Sequence, residues 1–432
     1  MANTYLTRTP SSAGNRRTWT ISTWVKFSGD GDDVAIFNAW YADSNVGHFT
    51  FKRRSTNEQL GWSQWSSDNY TNASYRDVNG WYHIVLAVDT TQSTASNRQK
   101  LYVNGEQVTS FSTSYTLGLN EELPVNNNNI HTIGINKYSS ISNYFNGSMS
   151  HFHMIDGTAY DATAFGETDS TTGEWTIKTS PSVTYGTNGF FILKDGNSVT
   201  DQSGNSNNFT VGGGTLTNTE DNPSNVFATF NAIWNLSNGK NLTLTNGNTT
   251  TQSNSANWNG AISTIGVSTG KYYWEAKIVS ATNNYNFGVV DPDVADVNNT
   301  DNIMNQVGYS GFYNFDGGET RIDNVVSTSD YGTFGNGDIL GFALDKTNNQ
   351  FSIYKNGTII VTNASLGQGN GTVLPINIIY GTNQGSSNFN FGNGYFGTTA
   401  VASAGTNASG IGIFEYDVPT GFTALSTKGL NQ

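Results

Sequence analysis

Two histidines, two aspartate-rich runs and one aromatic cluster are the residues of this chain best suited to chemistry. His151 and His153 in "MSHFHMID" stand two apart, so on a strand they share a face and could begin a metal site, though no third ligand is visible. "SGDGDD" offers Asp30, Asp32 and Asp33, and "DPDVADVNNTD" offers Asp291, Asp293, Asp296 and Asp301. Carboxylates on a loop suit calcium, and Asp291, Asp293 and Asp296 are the candidate ligands. Neither loop has EF-hand spacing, and aspartate is also a common turn residue. The aromatic cluster is Trp40 and Tyr41 in "NAWYADSN" with Trp62, Trp65 and Tyr70 in "LGWSQWSSDNY", flanked by Asp68 and Asn69. An exposed ring meets the apolar face of a sugar while neighbouring polar groups take its hydroxyls. Trp62 and Trp65 are three apart and face opposite sides of a regular strand, which puts one in the core and one outside.

Catalytic arrangements are scarce. Glu121 and Glu122 are adjacent, in the loop-like "NEELPVNNNN", and so do not alternate along a strand. "GVSTG" (Gly266–Gly270) matches G-x-S-x-G, but a nucleophile elbow needs a helix after the turn, and here a strand pattern follows Ser268. There is no P-loop spacing. There is no cysteine, which removes disulfides, thiolate metal sites and thiol catalysis. The expectation is a protein that is not an enzyme.

The elements that must position these residues are strands. "WTISTWVKF" places Trp19, Ile21, Thr23, Val25 and Phe27 on one face, and "GKYYWEAKI" does the same with Tyr272, Trp274, Ala276 and Ile278. Short alternating runs between Gly, Asn, Asp and Ser turns indicate antiparallel sheets. Charged residues are only 12% of 432, about half the usual share of roughly 25%, while aromatics reach 13%, which argues against disorder. A net charge of −13 with no basic stripe excludes a nucleic-acid partner. No run approaches a membrane span, and the N-terminus lacks a secretory signal pattern.

One phrase occurs twice. "GWYHIVLAVDTTQSTASNRQKLYVNG" (Gly80–Gly105) and "GFALDKTNNQFSIYKNG" (Gly341–Gly357) each give a strand ending in Asp, a loop, a second strand and Asn-Gly. Asn-Gly favours a type I′ hairpin, so each is a three-stranded meander, with third strands at Glu106–Thr109 and Thr358–Thr362. Two distant meanders predict two units. The Gly- and Asn-rich "GGGTLTNTEDNPSNVFATFN" (Gly212–Asn231) reads as the connector, which divides the chain into residues 1–230 and 231–432. The tail from Gly410 closes the second unit or docks elsewhere. The fold class is all-β, with two antiparallel β-sandwich (jelly-roll) domains.

"WTISTWVKFS", "GWYHIVLAVDTT", "LYVNGEQV", "HTIGIN" and "YFNGSMSHFHMIDGTAYDATAFGE" resemble a concanavalin A-like, laminin G-type jelly roll over Thr4–Gly166, departing from its late pattern at His151–His153. "STGKYYWEAKI" and "GDILGFALDKTNNQFSIYKNG" resemble a SPRY-type sandwich over Ala232–Gly397. The pairing, with "NPSNVFATFN" between and "DVPTGFTALSTKGLN" at the end, is similar to structural proteins of marine bacteriophages. That resemblance implies a virion protein on the particle exterior, as tail fibre, tail appendage or head fibre or decoration. Its implied partners are other capsid or tail proteins, copies of itself (a trimer favoured) and a host-surface glycan. The laminin G likeness adds weight to calcium. Glucanases of the concanavalin-like fold carry an E-x-D-x-E-like strand, and this chain has none, so a glycoside-active enzyme ranks below the alternative of a free lectin.

Overall fold

The computed structural model describes all residues except 1–2, 30–32, 43–46, 65, 139, 195–197, 235–241, 283, 298–302, 315–316, 328, 369–370 and 382–384. The described residues form strands and a few single 3₁₀ turns, with no α-helix among them. The chain makes two compact units, residues 1–218 with 222–224, and residues 219–221 with 225–432. The change of unit comes a few residues ahead of the division expected at 230, because Phe227, Ala228 and Phe230 already pack in second-unit clusters.

The first unit is a sandwich of two antiparallel sheets. One has eight strands, in the order Phe111–Thr113, Ser67–Ser74, Gln59–Gln64, His48–Arg53, Val34–Trp40, Ile130–Ile133, Tyr5–Arg8 and Thr210–Gly213. The other has six: Phe190–Ile192, Gly147–Asp156, Thr18–Phe27, Tyr82–Asp89, Gln99–Val103 and Glu106–Gln107. Alternation sends Trp19, Ile21, Val25 and Phe27 inward to meet Phe37, Phe49, Phe51 and Trp62 from the facing sheet.

The second unit repeats the architecture. Its larger sheet runs Thr243–Thr245, Thr250–Gln252, Ser386–Asn390, Lys271–Ser280, Ile339–Asp345, Gln350–Lys355 and Thr358–Ser365, and Thr423–Ala424 adds a short parallel pairing to Lys271–Ser280. Its smaller sheet runs Trp258–Ile262, Leu374–Tyr380, Tyr285–Val290, Tyr309–Tyr313, Glu319–Ile322 and Val325–Val326. Tyr272, Trp274, Ala276 and Ile278 all point into the core, as their spacing predicts, and Trp274 stacks on Phe342 at 4.6 Å.

The repeated phrase is built the same way in both units. Asn104 and Gly105 have φ of 48° and 86°, and Asn356 and Gly357 have 50° and 77°, the two left-handed residues of a type I′ turn. Each Asn side chain then reaches back to the start of the meander. Asn104 Oδ1 accepts from the His83 N–H at 2.8 Å, and Asn356 Oδ1 accepts from the Ile339 N–H at 2.8 Å. The third strands differ from expectation: the first stops at Gln107 and the second continues to Ser365. An aromatic ring covers each turn. A Cβ on Gly105 would meet the Trp175 ring at 2.5 Å, and one on Gly357 would meet the Tyr416 ring at 2.7 Å.

Each unit also closes on itself. Tyr5–Arg8 pairs with Thr210–Gly213 in the first. In the second, the Ala228 N–H donates to Leu425 O at 2.9 Å, the Thr427 N–H donates to Val226 O at 2.9 Å, and Phe227 bridges Ser426. The tail therefore closes the second unit. Asn104→Ala and Asn356→Ala each remove a bond to a strand N–H and leave at positive φ a residue that tolerates it less well than asparagine. Each is expected to cost about 1–3 kcal/mol in its own unit and little in the other. Urea unfolding followed by hydrogen exchange, unit by unit, measures both.

Candidate functional site

The expected aromatic cluster divides between core and surface. Trp62 is 2% exposed and packs in the core edge-on to Phe111 at 6.0 Å, so it is no platform. Tyr70 is 3% exposed beneath the Arg54 guanidinium, 4.1 Å from its ring centre. Asn69 is buried and its Oδ1 accepts from the Tyr115 N–H at 2.7 Å. These three shape the sheet and cannot stack on a ligand. Asp68 is exposed, and Trp65 lies outside the described residues.

Trp40 and Tyr41 reach the surface. Phe37 and Ala39 point into the core, so alternation turns Asn38 and Trp40 to the outer face of the eight-stranded sheet. Trp40 is half-buried and Tyr41 is 44% exposed. Lys137 Nζ lies 5.9 Å from the Trp40 ring centre, and Tyr138 meets His48 edge-on at 5.8 Å. Beneath them is a buried polar network centred on Asn136 Oδ1, which accepts from Asn38 Nδ2 at 3.1 Å and Thr50 Oγ1 at 2.9 Å, with His48 Nε2 at 3.1 Å. Asn38 Nδ2 also donates to Thr50 Oγ1 and Phe49 O, both at 2.9 Å. Rings stand around a fixed polar floor, which suits a ligand with one apolar and one hydroxylated face. The readable signal for His48 and Thr50 was their alternation with Phe49 and Phe51 in "HFTFKR". Asn136, Lys137 and Tyr138 had no such signal, because a short hairpin, Asn136–Lys137 with Ile141–Ser142, brings them in.

A second aromatic surface lies on the outer face of the smaller sheet of the second unit. Trp258 is 5.3 Å from Tyr380 and 6.2 Å from Tyr313, and the Arg321 guanidinium lies 4.5 Å from the Tyr313 ring centre. Asn286 sits between Ile378 and Tyr313 in register, is 1% exposed, and neither atom of its amide has a hydrogen-bond partner. The Tyr309 hydroxyl is likewise buried and unbonded. Gly288 and Gly311 stand opposite each other, and a Cβ on Gly288 would be 2.7 Å from Gly311 Cα. A buried amide without partners is costly, and a hydrogen-bonding ligand group would satisfy it. Nothing in the local sequence singles out Asn286, because its isolation depends on rings from three other strands.

The histidines are structural. A bulge between Ser150 and His153 puts His151 at φ 49°, yet the two imidazoles remain neighbours as expected, with ring centres 6.5 Å apart and both against the Phe191 ring. His153 is buried on Phe191 at 3.9 Å, with Nδ1 2.9 Å from the Tyr185 hydroxyl. Ser22 Oγ lies 2.9 Å from His83 Nε2, which resembles a nucleophile and its base. Yet His83 Nδ1 accepts from the Trp175 indole N–H at 2.9 Å, so Nε2 carries the proton and donates to Ser22. Burial lowers His83 to about 3 and His131 to about 4, and holds His153 well below the usual value.

The carboxylates also have structural work. Asp291 is buried, and its oxygens accept from the Asp293 N–H at 3.1 Å and the Gly371 N–H at 2.9 Å, while Asp293 and Asp296 are exposed. Among the described residues, no three His, Asp or Glu side chains converge on a metal position. Asp30, Asp32 and Asp301 lie outside the described residues, and Asp33 accepts from the Ser55 N–H at 2.6 Å. Glu122 pairs with Arg16 and Arg17 at 2.9 Å each, and Glu121 accepts from the Gly118 N–H at 2.6 Å. Ser268 is an exposed turn residue ahead of the strand at Lys271.

With this geometry in place, residues 2–163 match the concanavalin A-like lectin/glucanases superfamily, and residues 271–394 match the SPRY domain. The chain joins a concanavalin A-like domain to a SPRY domain. Similar solved structures include the SPRY domain of human HERC1, 19% identical over 33% of this chain and 87% of that one with a TM-score of 0.28. The TRIM65 PSpry domain is 16% identical over 38% and 91%, with a TM-score of 0.30. The heptameric SAP-like pentraxin of Limulus polyphemus is 17% identical over 36% and 71%, with a TM-score of 0.26. Comparison with curated proteins gives no match.

Buried neutral histidines make the concanavalin A-like domain acid-sensitive. The unfolded chain takes up a proton at His83 near 6.5, whereas the folded domain resists until about 3, so His83 withdraws stability as pH falls from about 6.5 toward 3. Thermal melting from pH 7 to pH 4 is expected to show a shallower decline for His83→Gln than for the wild type.

Proposed function

We propose that this chain is a glycan-binding β-sandwich protein on the exterior of a bacteriophage particle, acting without catalysis. Both domains are of kinds consistent with carbohydrate or protein binding. The observation that carries the glycan reading is the outer surface of the concanavalin A-like domain, where Trp40 and Tyr138 stand beside the Asn38–Thr50–His48–Asn136 floor and the exposed Tyr41 follows Trp40 in the chain. A pyranose laid on such rings buries its C–H face and leaves hydroxyls within reach of Lys137 and the floor's edge. The virion placement rests on the sequence resemblance alone. It carries the expectations of other capsid or tail proteins as partners, of a homo-oligomer with a trimer favoured, and of a role as tail fibre, tail appendage or head decoration.

A glycan array followed by calorimetry tests the binding. Trp40→Ala and Tyr41→Ala are each expected to weaken the best glycan roughly ten-fold or more while leaving the melting temperature close to wild type, as removal of a contact ring does. Unchanged affinity in both variants rules out this surface. Immunogold labelling of intact particles tests placement: label on fibres or tail tips supports host attachment, and label over the head supports decoration. Absence of the protein from purified particles overturns the virion reading and leaves a free lectin.

A further inference from the structure

The outer face of the eight-stranded sheet carries cations as well as rings. Lys137 is fixed at its base by the polar floor. Its own N–H donates to Asn38 Oδ1 at 3.2 Å, and the preceding Asn136 side chain accepts from Asn38 Nδ2 at 3.1 Å and Thr50 Oγ1 at 2.9 Å. The stem then runs out beside Trp40, where Nζ stands 5.9 Å from the ring centre. Such an ammonium keeps its full charge and three donors, and the ring's negative face steadies it.

Two more cations stand on the same face. Phe49 and Phe51 point into the core, so alternation turns His48, Thr50 and Lys52 outward. Lys52 is opposite Gly61, and Gly61 is opposite Tyr70. A Cβ on Gly61 would lie 2.5 Å from the Tyr70 ring, so the missing side chain lets that ring lean across the strand toward Lys52. Lys52 Nζ is 5.8 Å and the Arg54 guanidinium 4.1 Å from the Tyr70 ring centre. Arg54 Nε also donates to Gln59 Oε1 at 2.9 Å. Among the described residues no carboxylate lies within 4.0 Å of Lys137 or Arg54, and Lys52 has Asp33 at 4.0 Å. Trp40 is opposite His48, and Lys52 is four residues further along that strand, a step of about 13 Å. With a net charge of −13 the chain repels an acidic polymer in general, so these positions decide where one can lie.

We propose that the glycan taken by this surface is acidic: a saccharide chain bearing carboxylate or sulfate groups, with one anionic group at Lys137 beside Trp40 and another further along the strand at Lys52 and Arg54. The proposal rests on the glycan function given to this surface and adds the charge of the ligand. The rings take the C–H faces of sugars whatever their charge, and Lys137 separates acidic from neutral chains, because a charge-assisted hydrogen bond is roughly twice as strong as a neutral one.

The test is calorimetry on the full chain with two matched pairs of polymers, polygalacturonate against its methyl ester and dextran sulfate against dextran. The pairs distinguish a carboxylate from a sulfate ligand. At least one acidic member is expected to bind on the order of ten-fold more tightly than its neutral counterpart, with a preference that shrinks as salt rises from about 0.05 M to about 0.5 M. Lys137→Gln is expected to remove most of that preference and to leave the neutral member's affinity unchanged, and Lys137→Arg is expected to keep it. Lys428→Gln, at an exposed lysine of the second unit, is expected to change nothing. A neutral polymer bound as tightly as its acidic counterpart in both pairs overturns the proposal, and so does binding of neither acidic polymer. Equal losses in Lys137→Gln and Lys428→Gln also overturn it, because they report net charge alone. A neutral glycan whose binding Trp40→Ala weakens and Lys137→Gln does not refutes the acidic ligand and leaves the glycan surface standing. Binding of no glycan, acidic or neutral, refutes the surface itself.

Discussion

A strand inside a sandwich has two faces, and each central strand of this protein carries a buried aromatic side chain on both. Thr18–Phe27 sends Trp19, Ile21, Val25 and Phe27 inward and Trp24 outward, and Lys271–Ser280 sends Tyr272 and Trp274 inward and Tyr273 outward. Only the inward set is matched by the partner sheet. The outward set must be covered by other parts of the chain, and that requirement governs the irregular half of each domain. In the concanavalin A-like domain the cover includes Phe165, Trp175 and Tyr185, gathered over Val85 and Ile155. In the SPRY domain it is Phe414, Val418 and their neighbours. The same ring-on-glycine contact, Trp175 on Gly105 and Tyr416 on Gly357, seals both covers at the hairpin turn.

The covers are secured by different chemistry. In one, the neutral His83 imidazole takes the Trp175 indole N–H; in the other, the Glu275 carboxyl takes the main-chain N–H groups of Glu415 and Tyr416. Both acceptors are buried on the sheet and their donors come from the cover, so the same packing problem is solved twice with different atoms.

Local regularity is what the sequence discloses well. Period-two runs and Asn-Gly turns need only neighbouring residues to be understood, and they yield the all-β architecture and the repeated meander. Departures from regularity were hidden. The bulge at Ser150–His153 has no local signal, although the two histidine rings beside it stay 6.5 Å apart. Trp62 and Trp40 sit in similar polar surroundings in the sequence, yet one packs inward and the other reaches solvent. Glu275 drew no attention because its donors are 140 and 141 residues away. The unbonded Asn286 amide is visible only once Trp258 and Tyr313 are seen to meet.

In each domain the first and last segments lie side by side, Tyr5–Arg8 against Thr210–Gly213 and Val226–Ala228 against Leu425–Thr427. The distance spanned between the tethers of a folded domain is then close to one strand spacing, about 4.8 Å. The roughly 200 residues between them reach about 700 Å when fully extended, at about 3.4 Å each. Tension applied across those ends strains their few hydrogen bonds in succession, as in peeling tape, before the central strands bear load. Each domain is thus a folded reserve of slack, which yields at its margin and converts a sudden pull into length.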